Sequence, residues 1–249
     1  MSMHTKFNKK IYSTVFFAVI FCLFLLMVLI LNGEIIPNAL FAEGYPVKGV
    51  DVSSYQGDID WETLSSQDIS FAFIKATEGS SFVDRNFAYN YSEAQKTELR
   101  VGAYHFFSYD TGGDTQAENF INTVEYFEGM LPPVIDLEFY GDKKENPPTQ
   151  TDVRRELDIF IEKVTEHYGM KPIIYATEKS YKLYLAGVYK DYDIWIRNVF
   201  LPPDLSDGRD WDFWQYTDKG HLEGYQGDEK YIDINVFCGT KEDFAGYPK

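Results

Sequence analysis

The chain has 249 residues, 39 of them acidic against 23 basic, for a formal net charge of −16. Such acidity excludes a nucleic-acid binder, which needs a basic face for phosphates. A 45% apolar composition is enough for a sizeable core and excludes wholesale disorder. Two cysteines cannot build a disulfide framework or a cysteine-rich zinc site.

The charge is unevenly spread. Lys6, Lys9 and Lys10 are the only charged residues among the first 31, and the rest of the chain, with 20 basic and 39 acidic residues, carries −19. Residues 11–31 form an uninterrupted uncharged run of 21, nearly all apolar. As a helix that run spans about 31 Å, one hydrocarbon core. Basic residues before it and Glu34 and Glu43 after it predict a cytoplasmic tail at 1–10, a membrane anchor at 11–31 and everything else outside. A cleaved signal peptide, and hence a secreted protein, is the alternative. Its best cleavage site follows Ala42, where Leu40 stands in place of a small residue. Cys22 lies in the span and Cys238 near the far end, so the two cannot pair in this arrangement.

Residues 32–46 read as a linker, with Gly33, Pro37 and Gly44. From 47 to 249 no hinge divides the chain and no repeat recurs, so one domain is expected. Short apolar runs rich in β-branched and aromatic residues predict eight strands, at 48–52, 71–75, 101–106, 134–138, 172–175, 194–197, 213–216 and 232–236. Helical segments fall between the early ones, at 60–67, 84–99 with a cap at Asp84, 114–127, 151–168 and 177–186. The last two gaps, 198–212 and 217–231, are rich in Gly, Pro and polar residues and read as loops. Five strand–helix units followed by three strands imply an irregular, TIM-like α/β barrel whose final part is partly antiparallel. A doubly wound open sheet is the alternative.

Acidic residues recur where apolar strands end. Asp51 closes one strand, Asp136 and Glu138 another, and Asp233 lies in the last. Strand side chains alternate, so Asp136 and Glu138 share a face. In such a barrel the C-terminal strand ends open into the site. Clustered carboxylates there lose solvation and repel one another, which leaves a neutral acid beside an anion. Glycosidic cleavage needs that pair: one acid protonates the leaving oxygen and an anion stabilises the oxocarbenium-like centre. Tyr55, Tyr104, Phe106, Tyr140, Tyr175, Trp195, Trp214 and Tyr216 lie on or near strand ends, where aromatic faces stack against sugar rings. The four histidines have no metal spacing, and no phosphate loop, dinucleotide fingerprint or nucleophile elbow is present. No metal and no cofactor is expected.

Six segments taken together resemble glycoside hydrolase family 25, the muramidases. They are Gly49-Val-Asp-Val-Ser-Ser-Tyr-Gln-Gly57, Phe71-Ala-Phe-Ile-Lys-Ala-Thr-Glu-Gly79, Val101-Gly-Ala-Tyr-His-Phe106, Pro133-Val-Ile-Asp-Leu-Glu138, Trp214-Gln-Tyr-Thr217 and Ile232-Asp-Ile-Asn-Val-Phe237. The resemblance implies a barrel of five strand–helix units and three further strands. It implies hydrolysis of the β-1,4 bond between N-acetylmuramic acid and N-acetylglucosamine in peptidoglycan strands, by a monomer. Glu138 would be the general acid. Asp136 would stabilise the developing positive charge or orient the substrate's N-acetyl group, and Asp51 and Asp233 would complete the cluster. A non-catalytic glycan-binding module on the same barrel, or a hydrolase of another N-acetylated glycan such as chitin, are the alternatives. The −19 domain would be repelled by anionic wall polymers, a force screened within about 10 Å at 0.1 M salt.

Overall fold

The computed structural model describes residues 3–248, with side chains from Tyr12 onward. The first two residues of the expected cytoplasmic tail lie outside the described residues. The chain divides into two units, one ending at Pro37 and the other beginning at Asn38.

The first unit is essentially one helix, α1 (Met3–Leu31). Its stretch Tyr12–Leu31 is long and apolar enough to cross a membrane, and none of it is buried.

The second unit opens with the short helix α2 (Ala39–Ala42). Asn38, just before it, is buried, and its Nδ2 donates to the carbonyl oxygens of Asn198 at 2.9 Å and Tyr216 at 3.2 Å. Residues 38–46 therefore fold with the barrel. The strands are β1 (Lys48–Val52), β2 (Phe71–Glu78), β3 (Phe82–Val83), β4 (Arg100–Phe106), β5 (Val134–Leu137), β6 (Ile173–Thr177), β7 (Ile194–Arg197), β8 (Phe213–Gly220) and β9 (Ile232–Phe237). They run in the order β1-β9-β8-β7-β6-β5-β4-β2-β3, and pairing of β1 with β2 closes the barrel. All eight expected strands are present; β3 is an added two-residue hairpin partner of β2. Pairing is parallel from β1 through β2 and β4 to β8, and antiparallel for β8–β9 and β9–β1. The barrel thus closes without a final crossover helix, as the loop-like gaps anticipate.

Five helical segments follow the early strands: α3 (Trp61–Ser65), α4 (Phe87–Ala94), α5 (Gly113–Thr123), α6 (Gln150–Tyr168) and α7 (Glu178–Ser180), which runs on into a π turn at Tyr181–Leu185. Two expectations need correction. Asp84 does not cap α4; its carboxylate accepts the backbone N–H groups of Ser54 and Asn86, both at 2.9 Å, and the helix starts after Asn86. Helix α5 ends at Thr123, so Val124 and Phe127 extend no helical face, although Val124 is buried.

Inside the barrel the side chains form layers. Phe71, Phe213 and Phe237 lie lowest, closed from below by Phe244 of α8 (Lys241–Ala245), with ring centroids 5.2–5.4 Å apart among these neighbours. Above them Phe73 stacks on Trp195 at 4.9 Å. Two inward glycines make room for these rings: a Cβ on Gly49 would sit 2.3 Å from the Phe71 ring, and one on Gly102 2.6 Å from the Phe73 ring. The aromatic layers therefore form the floor of whatever opens above them.

Candidate active site

A cavity of about 500 Å³ opens at the C-terminal ends of the parallel strands. The period of two builds it. On each strand the residues above the aromatic layers and of the same parity point inward: Asp51 on β1, Lys75 on β2, Tyr104 and Phe106 on β4, Asp136 on β5 with Glu138 one residue past its end, Tyr175 on β6, Trp195 and Arg197 on β7, Gln215 on β8 and Asp233 on β9. All four expected carboxylates meet here. Tyr55, 59% exposed on the turn after β1, stands at the rim.

Asp51 is the most heavily supported of the four. It accepts Gln215 Nε2 at 3.2 and 3.0 Å on its two oxygens and Asn235 Nδ2 at 2.7 Å. Gln215 in turn accepts the Tyr175 hydroxyl at 2.9 Å, and Asn235 accepts the Trp195 indole N–H at 2.8 Å. Asp136 is the opposite case. It is only 7% exposed, and its buried Oδ1 has no hydrogen-bond partner among the described residues. A buried acceptor left open at a cavity wall is positioned for a donor that arrives with a ligand.

The carboxyls hold protons more tightly than free ones. Burial raises Glu138, with Arg197 pulling against it. Burial and the neighbouring Glu138 raise Asp136 well above the usual range, with Lys75 opposing. Burial and Asp51 do the same to Asp233. Burial raises Asp51 too, against the amides of Asn235 and Gln215. The two cations are themselves tied, Lys75 to Glu78 at 2.7 Å and Arg197 to Asp218 at 2.6 Å. The outcome is a partly desolvated cluster able to keep a neutral acid beside an anion, which is what acid-catalysed glycosidic cleavage requires.

Of the eight expected aromatic residues, Tyr55, Tyr104, Phe106, Tyr175 and Trp195 line the cavity; Tyr140, Trp214 and Tyr216 do not. Trp214 and Tyr216 have the outward parity of β8. Trp214 is buried, donates its Nε1 to the Asn198 carbonyl at 2.8 Å, and packs with Tyr45, Trp211 and Tyr216. Tyr140 packs beside Phe106 and Tyr109, and its hydroxyl is held by Ser108, the Tyr109 N–H and Asp110. Sequence reasoning missed Lys75, Arg197, Gln215 and Asn235. Arg197 lies two residues after Trp195 and Asn235 two after Asp233, so alternation alone carried a signal for both.

Residues 50–225 match the sequence profile of Glycosyl hydrolases family 25. Among solved structures the chain is similar to a family 25 glycosyl hydrolase from Bacillus anthracis, 57% identical with a TM-score of 0.79, covering 83% of this chain and 95% of that one. It is 30% identical to Lysozyme M1 of Streptomyces globisporus over 210 residues, 78% of this chain and 68% of that protein. It is also 35% identical over 208 residues to the uncharacterized protein YegX of Escherichia coli, 82% of this chain and 74% of that protein.

Proposed function

The chain belongs to glycosyl hydrolase family 25, and on that footing we propose how its cavity works. The protein is a peptidoglycan hydrolase of the muramidase type, which cleaves the β-1,4 bond between N-acetylmuramic acid and N-acetylglucosamine. One observation carries the assignment of roles: Asp136 on β5 and Glu138, one residue past its end, both line the cavity, and Asp136 keeps one buried oxygen unpartnered. Glu138, raised by burial and tuned by Arg197, is the general acid that protonates the leaving oxygen. Asp136, with its open acceptor, receives the N–H of the substrate's N-acetyl group or stabilises the developing positive charge. Asp51 and Asp233 complete the electrostatic cluster. The faces of Tyr104, Phe106, Tyr175 and Trp195, with Tyr55 at the rim, support sugar rings.

Digestion of purified peptidoglycan followed by mass spectrometry tests this. Wild type should release fragments with reducing N-acetylmuramic acid ends, and Glu138→Gln should release almost none while remaining folded. N-acetylglucosamine ends would remove the muramidase reading, and near-normal turnover by Glu138→Gln would remove Glu138 from the acid role.

We propose a finer placement in the cell from the first unit. Residues 1–10 are a cytoplasmic tail, 11–31 a membrane anchor and 47–249 the catalytic domain outside. The apolar helix supports this. The N-terminal residue of the cell-derived protein decides the matter: a start before residue 11 supports the anchor, and a start near Glu43 refutes it.

A further inference from the structure

Asp51 and Asp233 face each other in register across the antiparallel β1–β9 pair. Both side chains line the same cavity, Asp51 buried and Asp233 half-buried. Two like charges set opposite each other and shielded from water repel, which favours a single proton on the pair. The surroundings decide which residue carries it.

Three amide donor contacts converge on Asp51, two from Gln215 Nε2 and one from Asn235 Nδ2. A side-chain amide can in principle turn over and offer its carbonyl instead. Here Asn235 cannot do so without loss, whereas the Tyr175 hydroxyl would serve either orientation of Gln215. Gln215 Oε1 is engaged by the Tyr175 hydroxyl, and Asn235 Oδ1 by the indole N–H of Trp195, which can only donate. Trp195 is itself fixed, buried and stacked on Phe73. Gln215 and Asn235 are Cα partners across β8–β9, so the two amides form one rigid cradle. A cradle of fixed N–H donors favours the ionised form of what it holds.

We infer that Gln215 and Asn235 are positioning residues which keep Asp51 as the anion of the pair and leave the shared proton on Asp233. The cavity then holds a fixed negative charge close to Glu138, separate from the acid that Glu138 supplies. Other groups face this pair from every side: Arg197 on β7, Asp218 on β8, Tyr175 on β6, Asp136 on β5 and Glu138 just after it, Tyr104 on β4 and, beyond Asp136, Lys75 on β2. Burial raises both members, and Asp233 further, because the amides pull Asp51 back. The assignment of the proton rests on the register of the pair and the donors around Asp51; its consequence for turnover rests on the muramidase reading.

Two measurements test it. The full chain, labelled with 13C at aspartate Cγ and held in detergent micelles, is titrated by NMR as wild type, Asp233→Asn and Asp51→Asn. In wild type near neutral pH, the signal that Asp233→Asn removes should be a protonated carboxyl and the signal that Asp51→Asn removes an ionised one. The reverse pattern, or ordinary titration of both aspartates, overturns the assignment. The second measurement is the pH profile of kcat/KM for Gln215→Met and Asn235→Leu, which keep volume and remove donors. The acid limb should move to higher pH, with about tenfold lost on that limb and activity recovered above it. A uniform drop with an unmoved profile would reduce both residues to structural filler. Should wild type leave peptidoglycan intact, the muramidase reading falls while the NMR result still assigns the proton.

Discussion

The hydroxyl of Thr77 lies 2.7 Å from Nδ1 of His105, across the parallel β2–β4 pair. On its other side His105 Nε2 is 3.0 Å from Gln116 Oε1. Gln116 spends its Nε2 on the carbonyls of Ser108 and Thr111, so its oxygen faces the histidine. Nε2 therefore carries the proton, and Nδ1 accepts from Thr77. The fully buried ring also packs on Phe160 at 4.8 Å and so joins β2, β4, α5 and α6 behind the cleft.

That neutral histidine gives the fold a dependence on acid. Burial depresses His105 to about 4. In the unfolded chain it returns to about 6.5. Its contribution is therefore fully present above about 6.5 and is lost as pH falls through 4, by about 3 kcal/mol in all. Urea unfolding of the full chain in micelles, followed by tryptophan fluorescence, should show this loss. In His105→Asn it should be largely absent. An equal acid loss in both proteins would exclude His105 as its source.

Asp136 works with the opposite sign. Its folded carboxyl is raised by burial and by Glu138. The stability linked to it is present below the unfolded value and is lost as pH rises through the folded one. Asp136→Asn removes a carboxyl that burial and Glu138 make costly to ionise in the folded chain. It should raise Tm by a few degrees, corresponding to about 1 kcal/mol or more. Turnover of peptidoglycan should fall by at least about a hundredfold. Calorimetry beside the mass-spectrometric assay checks both, and a lowered Tm at neutral pH contradicts the sign.

Arg197 sets the alkaline side of turnover. Its positive charge lowers Glu138 against the effect of burial. In Arg197→Gln that opposition is gone, Glu138 keeps its proton to higher pH, and the alkaline limb of kcat/KM should move upward. The variant also frees Asp218 from a 2.6 Å ion pair, so some loss of kcat/KM at all pH values is expected. A downward move of the limb would show that another group supplies the proton.

Two glycines predict a ranking of stability. A Cβ on Gly102 meets the Phe73 ring at 2.6 Å and Leu131 Cβ at 3.0 Å, and side chains can give a little. A Cβ on Gly113 meets the backbone oxygen of Glu156 at 1.9 Å, where only a shift of α5 against α6 makes room. Gly102→Ala should cost about 1–3 kcal/mol and Gly113→Ala more, both read as urea midpoints.

Much of this protein is set by local sequence. Apolar β-branched runs form the strands, whatever surrounds them. The spacing of Asp136 and Glu138 puts both on one face of β5, because strand side chains alternate. Residues 11–31 make a membrane-length helix because nothing in them is charged. Alternation, however, says which residues share a face and not which face turns inward. Trp214 and Tyr216 were read as cleft residues, yet closure of the barrel turns Gln215 inward and buries them outside. The same closure brings β9 against β1, so that Asp233 meets Asp51 although 182 positions separate them. It also gathers Gln215, Asn235 and Arg197 from three strands around them. Burial then decides which carboxyls keep their protons. Desolvation and hydrogen-bond geometry are properties of the assembled barrel, and no segment carries them alone.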